Sequence, residues 1–276
     1  MTFKNSKVLI ATADEFNSFK EKNPDIKYID AILSDLSGVI RGKRLPIEDA
    51  EKLFKSGIQF CYSTFLLDAS GYCPDAAGRG FSDGDPDATY YPVAGTLQNM
   101  PWHKDPLAQV LITIQDESRY SSIIDPRNFL AKVLERFYNM DLFFKVAFEL
   151  EFYLFKKRKN LSEKPQPAIS NETKRQSEGT QVYGMRELDE FYDFLEDVNN
   201  YCKIQDIPAA TASSEFAPGQ FEINLIHTNN IFASSKEEGS EQLGFAIGGL
   251  QKTTYENFLI FAPNLNSYRR FLPDQF

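Results

Sequence analysis

Within Lys145 to Phe155 (KVAFELEFYLF), alternation with period two places Phe144, Val146, Phe148, Leu150, Phe152 and Leu154 on one face of a strand. Ala147, Glu149, Glu151 and Tyr153 fall on the other. Ser214 to Leu225 (SEFAPGQFEINL) reads as a turn and a strand that divides the same way, Phe221, Ile223 and Leu225 against Gln220, Glu222 and Asn224. Glu215 precedes Glu222 across Ala217-Pro218-Gly219, a turn that can fold it back toward the same region. If the two strands share a sheet, four glutamates converge. Like charges so close repel, and such a cluster is stable when solvated, protonated or neutralised by cations. A divalent metal is the economical explanation. Mg²⁺ and Mn²⁺ select carboxylate oxygen, and two ions bridged by several glutamates clamp a phosphoryl group and the oxygen that attacks it. The competing reading is a solvated sheet face, the commonest antiparallel pattern.

Other chemistry-bearing residues are sparser. Arg269-Arg270, after Asn266-Ser267-Tyr268, offers a guanidinium fork to a substrate carboxylate, although an arginine pair near a helix end serves more often as a solvated cap. His103, beside Trp102, reads as structural; His227, after an apolar strand, has the chemistry of a ligand, but a lone histidine is more often a satisfied core or surface residue. Two histidines leave little material for histidine-rich metal sites or Ser-His-Asp schemes. The chain has no Walker loop, no GxGxxG and no nucleophile elbow, so phosphate handling would have to rely on metals.

The elements that must position these residues follow from composition and pattern. With 276 residues, 42% of them hydrophobic and 25% charged, the chain is long enough for one to two packed domains. A net charge of −9, with Lys and Arg scattered, argues against nucleic acid or an anionic membrane as partner. Three cysteines without CxxC spacing fit a reducing cytoplasm, and neither a membrane span nor a secretory leader is read in the chain. Lys27 to Pro46 reads as a hairpin turning at Asp35-Leu36-Ser37-Gly38, and Ile47 to Ser56 as a helix. The Gly-, Pro- and Asp-dense stretch Asp68 to Pro106, broken by a strand at Ala88 to Val93, is long enough to be a site loop. Ala108 to Gln115 is a buried strand ending the first domain, and Asp125-Pro126 caps the helix that opens the second. Lys156 to Gln181 is read as irregular, Arg186 to Gln205 as one helix and Glu241 to Phe261 as another.

Four stretches together resemble the glutamine synthetase family, in its γ-glutamyl-amine (glutamate–putrescine) ligase-like branch. They are Asp35-x-x-Gly38-x-x-Arg41-Gly42-Lys43, Glu149-Leu150-Glu151-Phe152, Glu215-Phe216-Ala217-Pro218-Gly219-Gln220-Phe221-Glu222-Ile223-Asn224-Leu225, and Ala262-Pro263-Asn264-Leu265-Asn266-Ser267-Tyr268-Arg269-Arg270. They fall in family order and span most of the chain. The resemblance implies an α+β protein, with an N-terminal β-grasp domain over residues 1–121 and an incomplete catalytic domain with a curved antiparallel sheet over 122–276. It implies ATP-dependent ligation of ammonia or a small amine to the γ-carboxylate of glutamate through γ-glutamyl phosphate, with Mg²⁺ or Mn²⁺, in a homo-oligomer whose active sites lie between subunits. By resemblance Glu151, Glu215 and Glu222 hold one ion and Glu149 the second, Arg270 and Tyr183 bind substrate, and Asp68 and Asp87 are the aspartates an adjoining subunit brings to the amine site.

The chain also departs from the family. After Asn224-Leu225-Ile226-His227-Thr228-Asn229 the family continues through a lysine-bearing helix, an Ala-Thr-Phe-Met strand and a Gly-Ser-Gly-Met-His-x-His segment. Here Asn230-Ile231-Phe232-Ala233 resembles sequence well beyond them, which implies an internal deletion of several dozen residues. The chain stops soon after Arg270, before the family's glutamate flap and later nucleotide contacts, which implies a C-terminal truncation. The favoured register puts His227 in the Asn-Leu-x-His-Thr stretch; a register after the gap makes it a remnant of the His-x-His. The expectation is a ligase scaffold with little or no turnover, or alternatively a binding or regulatory relative that assembles with full-length homologues.

Overall fold

The computed structural model describes residues 8–75, 78, 80–115, 124–142, 147–160, 162–179 and 182–226, and the backbone of 257–261. These form two compact units, residues 8–101 with 105–142 and residues 102–104 with 147–226 and 257–261.

In the first unit helix α1 (Ala13–Lys22) is capped by the Thr12 hydroxyl, which accepts from the Glu15 N–H, with acidic residues in the first turn and lysines in the last. The predicted hairpin is formed by β1 (Tyr28–Ser34) and β2 (Ile40–Pro46). Asp35 closes it: its buried carboxylate accepts from the Ser37 and Val39 N–H groups and pairs with Arg41 at 2.9 Å. Helix α2 spans Glu51–Ser56, with residues 47–50 in turns, so the helix starts later than the apolar spacing predicts. Strands β3 (Ile58–Cys61), β4 (Asp87–Pro92), β5 (Gln98–Asn99) and β6 (Leu107–Ile114) complete a mixed sheet in the order β2-β1-β6-β4-β3, with β5 added to β6. The β1–β6 pair is parallel. Every residue of β6 is buried, in keeping with its Val110-Leu111-Ile112-Thr113-Ile114 run.

Helix α3 (Pro126–Tyr138) begins as read from sequence, with proline at its first position. Asp125 does more than cap it. One carboxylate oxygen accepts from the Arg127 and Asn128 N–H groups, and the other accepts from Thr113 and from the Ile114 N–H of β6.

The second unit is a four-stranded antiparallel sheet, β7 (Glu149–Lys156), β8 (Ala209–Ser214), β9 (Gln220–Leu225) and β10 (Asn257–Phe261), in the order β10-β7-β9-β8. Beneath it lie α4 (Met185–Glu190) and α5 (Tyr192–Ile204). The core joins Phe152, Leu154, Phe221, Ile223 and Leu225 of the sheet to Phe194, Val198 and Cys202 of α5.

Two readings need correction here, and one strand lay outside any sequence pattern. The single helix over 186–205 is two, broken at Phe191 (φ −120°, ψ 22°). Phe191 is buried edge-on against Phe221 at 5.3 Å, while the carbonyl of Glu190 accepts from the Ser170 hydroxyl, so packing and a competing hydrogen bond interrupt the helix. β8 was not read as a strand because AATASS has no apolar alternation; pairing with β9 creates it. The helix over 241–261 fails at its end, where Asn257–Phe261 is extended and pairs with β7, because NFLIF favours a strand and β7 supplies the partners; the rest of that range lies outside the described residues.

Candidate acidic face

Strand period and ladder register build the site together. On β7 and β9, Glu151 stands opposite Glu222 and Glu149 opposite Asn224, while on the other side of β9 Ser213 of β8 stands opposite Glu222. The apolar residues between them face the core, so the glutamates share the outer face, as the alternation predicts. Glu215 is brought alongside by a turn. Its N–H donates to the carbonyl of Gln220, and the Gln220 N–H donates to the carbonyl of Ala217, each at 2.9 Å. Gly219 makes the turn fit: its φ is +75°, its carbonyl accepts from Leu154, and a Cβ there would lie 2.7 Å from the Leu154 carbonyl oxygen.

The electrostatics record the crowding. Burial raises the Glu222 carboxyl above its ordinary value; the Asn224 hydrogen bond opposes this, and the charges of Glu215, Glu149 and Glu151 add to it. Burial likewise raises the Tyr153 phenol, helped by the charges of Glu151 and Glu215. Neutral amides and a hydroxyl engage three of the carboxylates. Gln220 Nε2 donates to Glu151 Oε2 at 2.8 Å, Asn224 Nδ2 to Glu222 Oε1 at 2.8 Å, and the Ser213 hydroxyl to Glu215 Oε1 at 3.3 Å. Sequence reasoning placed Gln220 and Asn224 on this face but gave them no role; Ser213 was missed along with its strand.

Four carboxylates on one face are an all-oxygen donor set that suits a hard divalent cation in chemistry. Their side chains are not closed around one, for among the described residues no three His, Cys, Asp or Glu are grouped to hold a metal ion.

Tyr183 is tied to the same region through its backbone. Its N–H donates to the carbonyl of Ser214 at 2.9 Å, its φ is +59°, and its ring is exposed. Asp68 and Asp87 belong to the first unit. Asp68 lies in a tight loop where one carboxylate oxygen accepts from the Ser70 hydroxyl and the Ser70 and Tyr72 N–H groups, and these bonds, the Ser70 hydroxyl foremost, hold it below the ordinary carboxylate range. Its carbonyl accepts from Arg41 Nη2, which joins the Asp68 loop to the Asp35 hairpin. Asp87 opens β4 opposite Cys61, whose thiol is raised by burial and by the charges of Asp85 and Asp87. Arg270 and His227 lie outside the described residues.

Comparison with known proteins gives a consistent family. The model of the glutamine synthetase catalytic domain matches residues 123–231 and 226–276. Gamma-glutamylputrescine synthetase PuuA of Escherichia coli (strain K12) is 37% identical over 221 residues, 80% of this chain and 47% of that protein. Glutamate–isopropylamine ligase of Pseudomonas sp is 28% identical over 237 residues, 85% of this chain and 50% of that protein. The chain thus spans about half the length of the curated relatives it matches. Among solved structures, a GmaS/ADP complex superposes with a TM-score of 0.67 at 20% identity over 91% of this chain and 52% of its own. The Plasmodium falciparum glutamine synthetase superposes with a TM-score of 0.67 at 17% identity over 96% and 51%. At such identities these two speak for the fold alone.

Proposed function

Because this chain belongs to the glutamine synthetase family, we propose that its acidic face derives from a site for ATP-dependent ligation of ammonia or a small amine to the γ-carboxylate of glutamate, through γ-glutamyl phosphate. The observation that carries this reading is the outward row of Glu149, Glu151 and Glu222 with Glu215 folded beside it, each of the other three acting electrostatically on Glu222. A bound Mg²⁺ or Mn²⁺ pair supplies neutralisation for crowded phosphate and carboxylate oxygens. Glu151, Glu215 and Glu222 would hold one ion and Glu149 the other. The amides of Gln220 and Asn224 orient two of these carboxylates, and the buried sheet beneath keeps their spacing. Tyr183, beside the end of β8, and Arg270 are assigned to the glutamate substrate. Asp68, pre-oriented by its loop, and Asp87 are assigned to the amine site of a neighbouring subunit in a homo-oligomer. The sheet of the first unit is assigned to a β-grasp domain over 1–121, the remainder to the catalytic domain over 122–276, and the protein to the cytoplasm.

The 276-residue chain itself is proposed to turn over little or not at all. The family model matches it in two stretches that overlap at 226–231, which supports an internal deletion of the part that in the family holds the Gly-Ser-Gly-Met-His-x-His segment. Losing such a segment costs more than the roughly 10²- to 10³-fold of removing one transition-state donor. The same observation favours a second reading, a regulatory relative that enters assemblies of full-length homologues. A γ-glutamyl hydroxamate assay with Mn²⁺ and ATP tests the first: sustained turnover by the purified chain overturns the claim of inactivity. Co-purification with a full-length homologue tests the second, and failure to associate removes it.

A further inference from the structure

The geometry points to Gln220 as a positioning residue that sets the Glu151 carboxylate for cation binding. This rests on the metal-binding reading above and goes beyond it by naming a residue that is not a ligand. Gln220 is 4% exposed, and its side chain is engaged at both ends. Oε1 accepts from the Ala217 N–H at 2.9 Å, and Nε2 donates to Glu151 Oε2 at 2.8 Å. The polarity of the amide is settled by its neighbours: the Ala217 N–H requires an acceptor, so the NH₂ end must face Glu151. An acceptor in that position would meet a carboxylate oxygen with another oxygen. The backbone of the same residue bonds Ala217 and Glu215, so Gln220 links Glu151 on β7 to the turn that carries Glu215. A neutral donor suits the task, since it holds one carboxylate oxygen while leaving the negative charge for a cation. Groups that orient metal-binding side chains in this way typically matter 10- to 100-fold in metal affinity.

The test is Mn²⁺ binding to the full chain, followed by electron paramagnetic resonance of the free ion, with the metal-free melting temperature measured in parallel. Gln220→Met removes both hydrogen bonds at similar volume and is expected to weaken Mn²⁺ binding about tenfold. The double variant E151Q/Q220M is expected to bind no more weakly than E151Q, because Gln220 acts through Glu151. A loss below about threefold in Q220M, or a further tenfold loss in the double variant, overturns the proposal, and a lowered melting temperature with unchanged affinity would assign Gln220 to holding the turn alone. Absence of saturable Mn²⁺ binding by the wild type would remove the metal reading and this inference with it. Intact wild-type binding beside an unaffected Q220M would remove the inference alone. Should Q220M fail to fold, the side-chain amide resonance of Gln220 in the ¹⁵N-labelled wild type gives the answer: it is expected to move as Mg²⁺ saturates, and an unmoved resonance overturns the proposal.

Discussion

Glu151 and Glu222 stand directly opposite each other across the β7–β9 ladder, two carboxylates at one register position of an antiparallel pair. Like charges placed so are destabilising, and a cation relieves them. Millimolar Mn²⁺ should therefore raise the melting temperature of the wild type by about 5 °C, the scale expected when free ligand stands near 100 times its dissociation constant. A flat response in differential scanning calorimetry would return the face to ordinary solvated polarity.

Without divalent ions, Glu222 should make stability fall as pH rises. Its folded carboxyl titrates above its ordinary value, with burial as the main cause, so the folded state holds its proton over an interval where the unfolded chain has lost it. Stability contributed by this group is therefore lost from the ordinary glutamate range up through the raised folded value. Glu222→Gln should be more stable than wild type at pH 7 in EDTA and should lose this part of the slope. Urea midpoints measured from pH 4 to pH 7 decide it.

Asp35→Ala leaves Arg41 without its buried partner and orphans the Ser37 and Val39 N–H groups. Arg41 is partly exposed and keeps its bond to the Asp68 carbonyl, so the cost falls mainly on the orphaned N–H groups, about 2 kcal/mol in all. Chemical denaturation should show that loss, and an effect under 1 kcal/mol would mean the hairpin tip closes without the ion pair.

Gly219→Ala puts a side chain at φ +75°, 2.7 Å from the Leu154 carbonyl oxygen. Strain and clash together should cost about 2 kcal/mol. Because the turn carries Glu215, Mn²⁺ affinity should fall as well. A neutral substitution would show that the turn has room to relax.

Asp125→Ala removes the cap of α3 and leaves Thr113 and the Ile114 N–H without their carboxylate. Loss of a cap with a buried donor left behind should total about 2 kcal/mol or more. Thermal unfolding of the variant should show it, and a shift of less than a degree would show that another group takes over the cap.

The acidic face was legible because a strand period of two is a geometric rule: once Phe152, Leu154, Phe221 and Ile223 had to be buried, Glu149, Glu151 and Glu222 had to point away. The cap at Asp125 was legible for a similar reason, since Asp-Pro ahead of an apolar stripe has few other uses. What pattern could not reveal is settled by neighbours remote in the chain. The residues Ala209–Ser214 become a strand through β9, and Phe191 breaks a helix because Phe221 and Ser170 lie across from it. The union of Gln220 with Glu151 spans 69 positions, beyond the reach of local periodicity.

Strand β10 belongs to the second stretch matched by the family, while β7 and β9 belong to the first, yet β10 pairs with β7 over five residues. The two stretches are thus sewn into one hydrogen-bonded sheet. A version cut before residue 257 would bare the outer edge of β7, with its unpaired backbone groups open to any extended chain. Such a product should self-associate through that edge, which makes the late strand a guard against aggregation for the surface beside it.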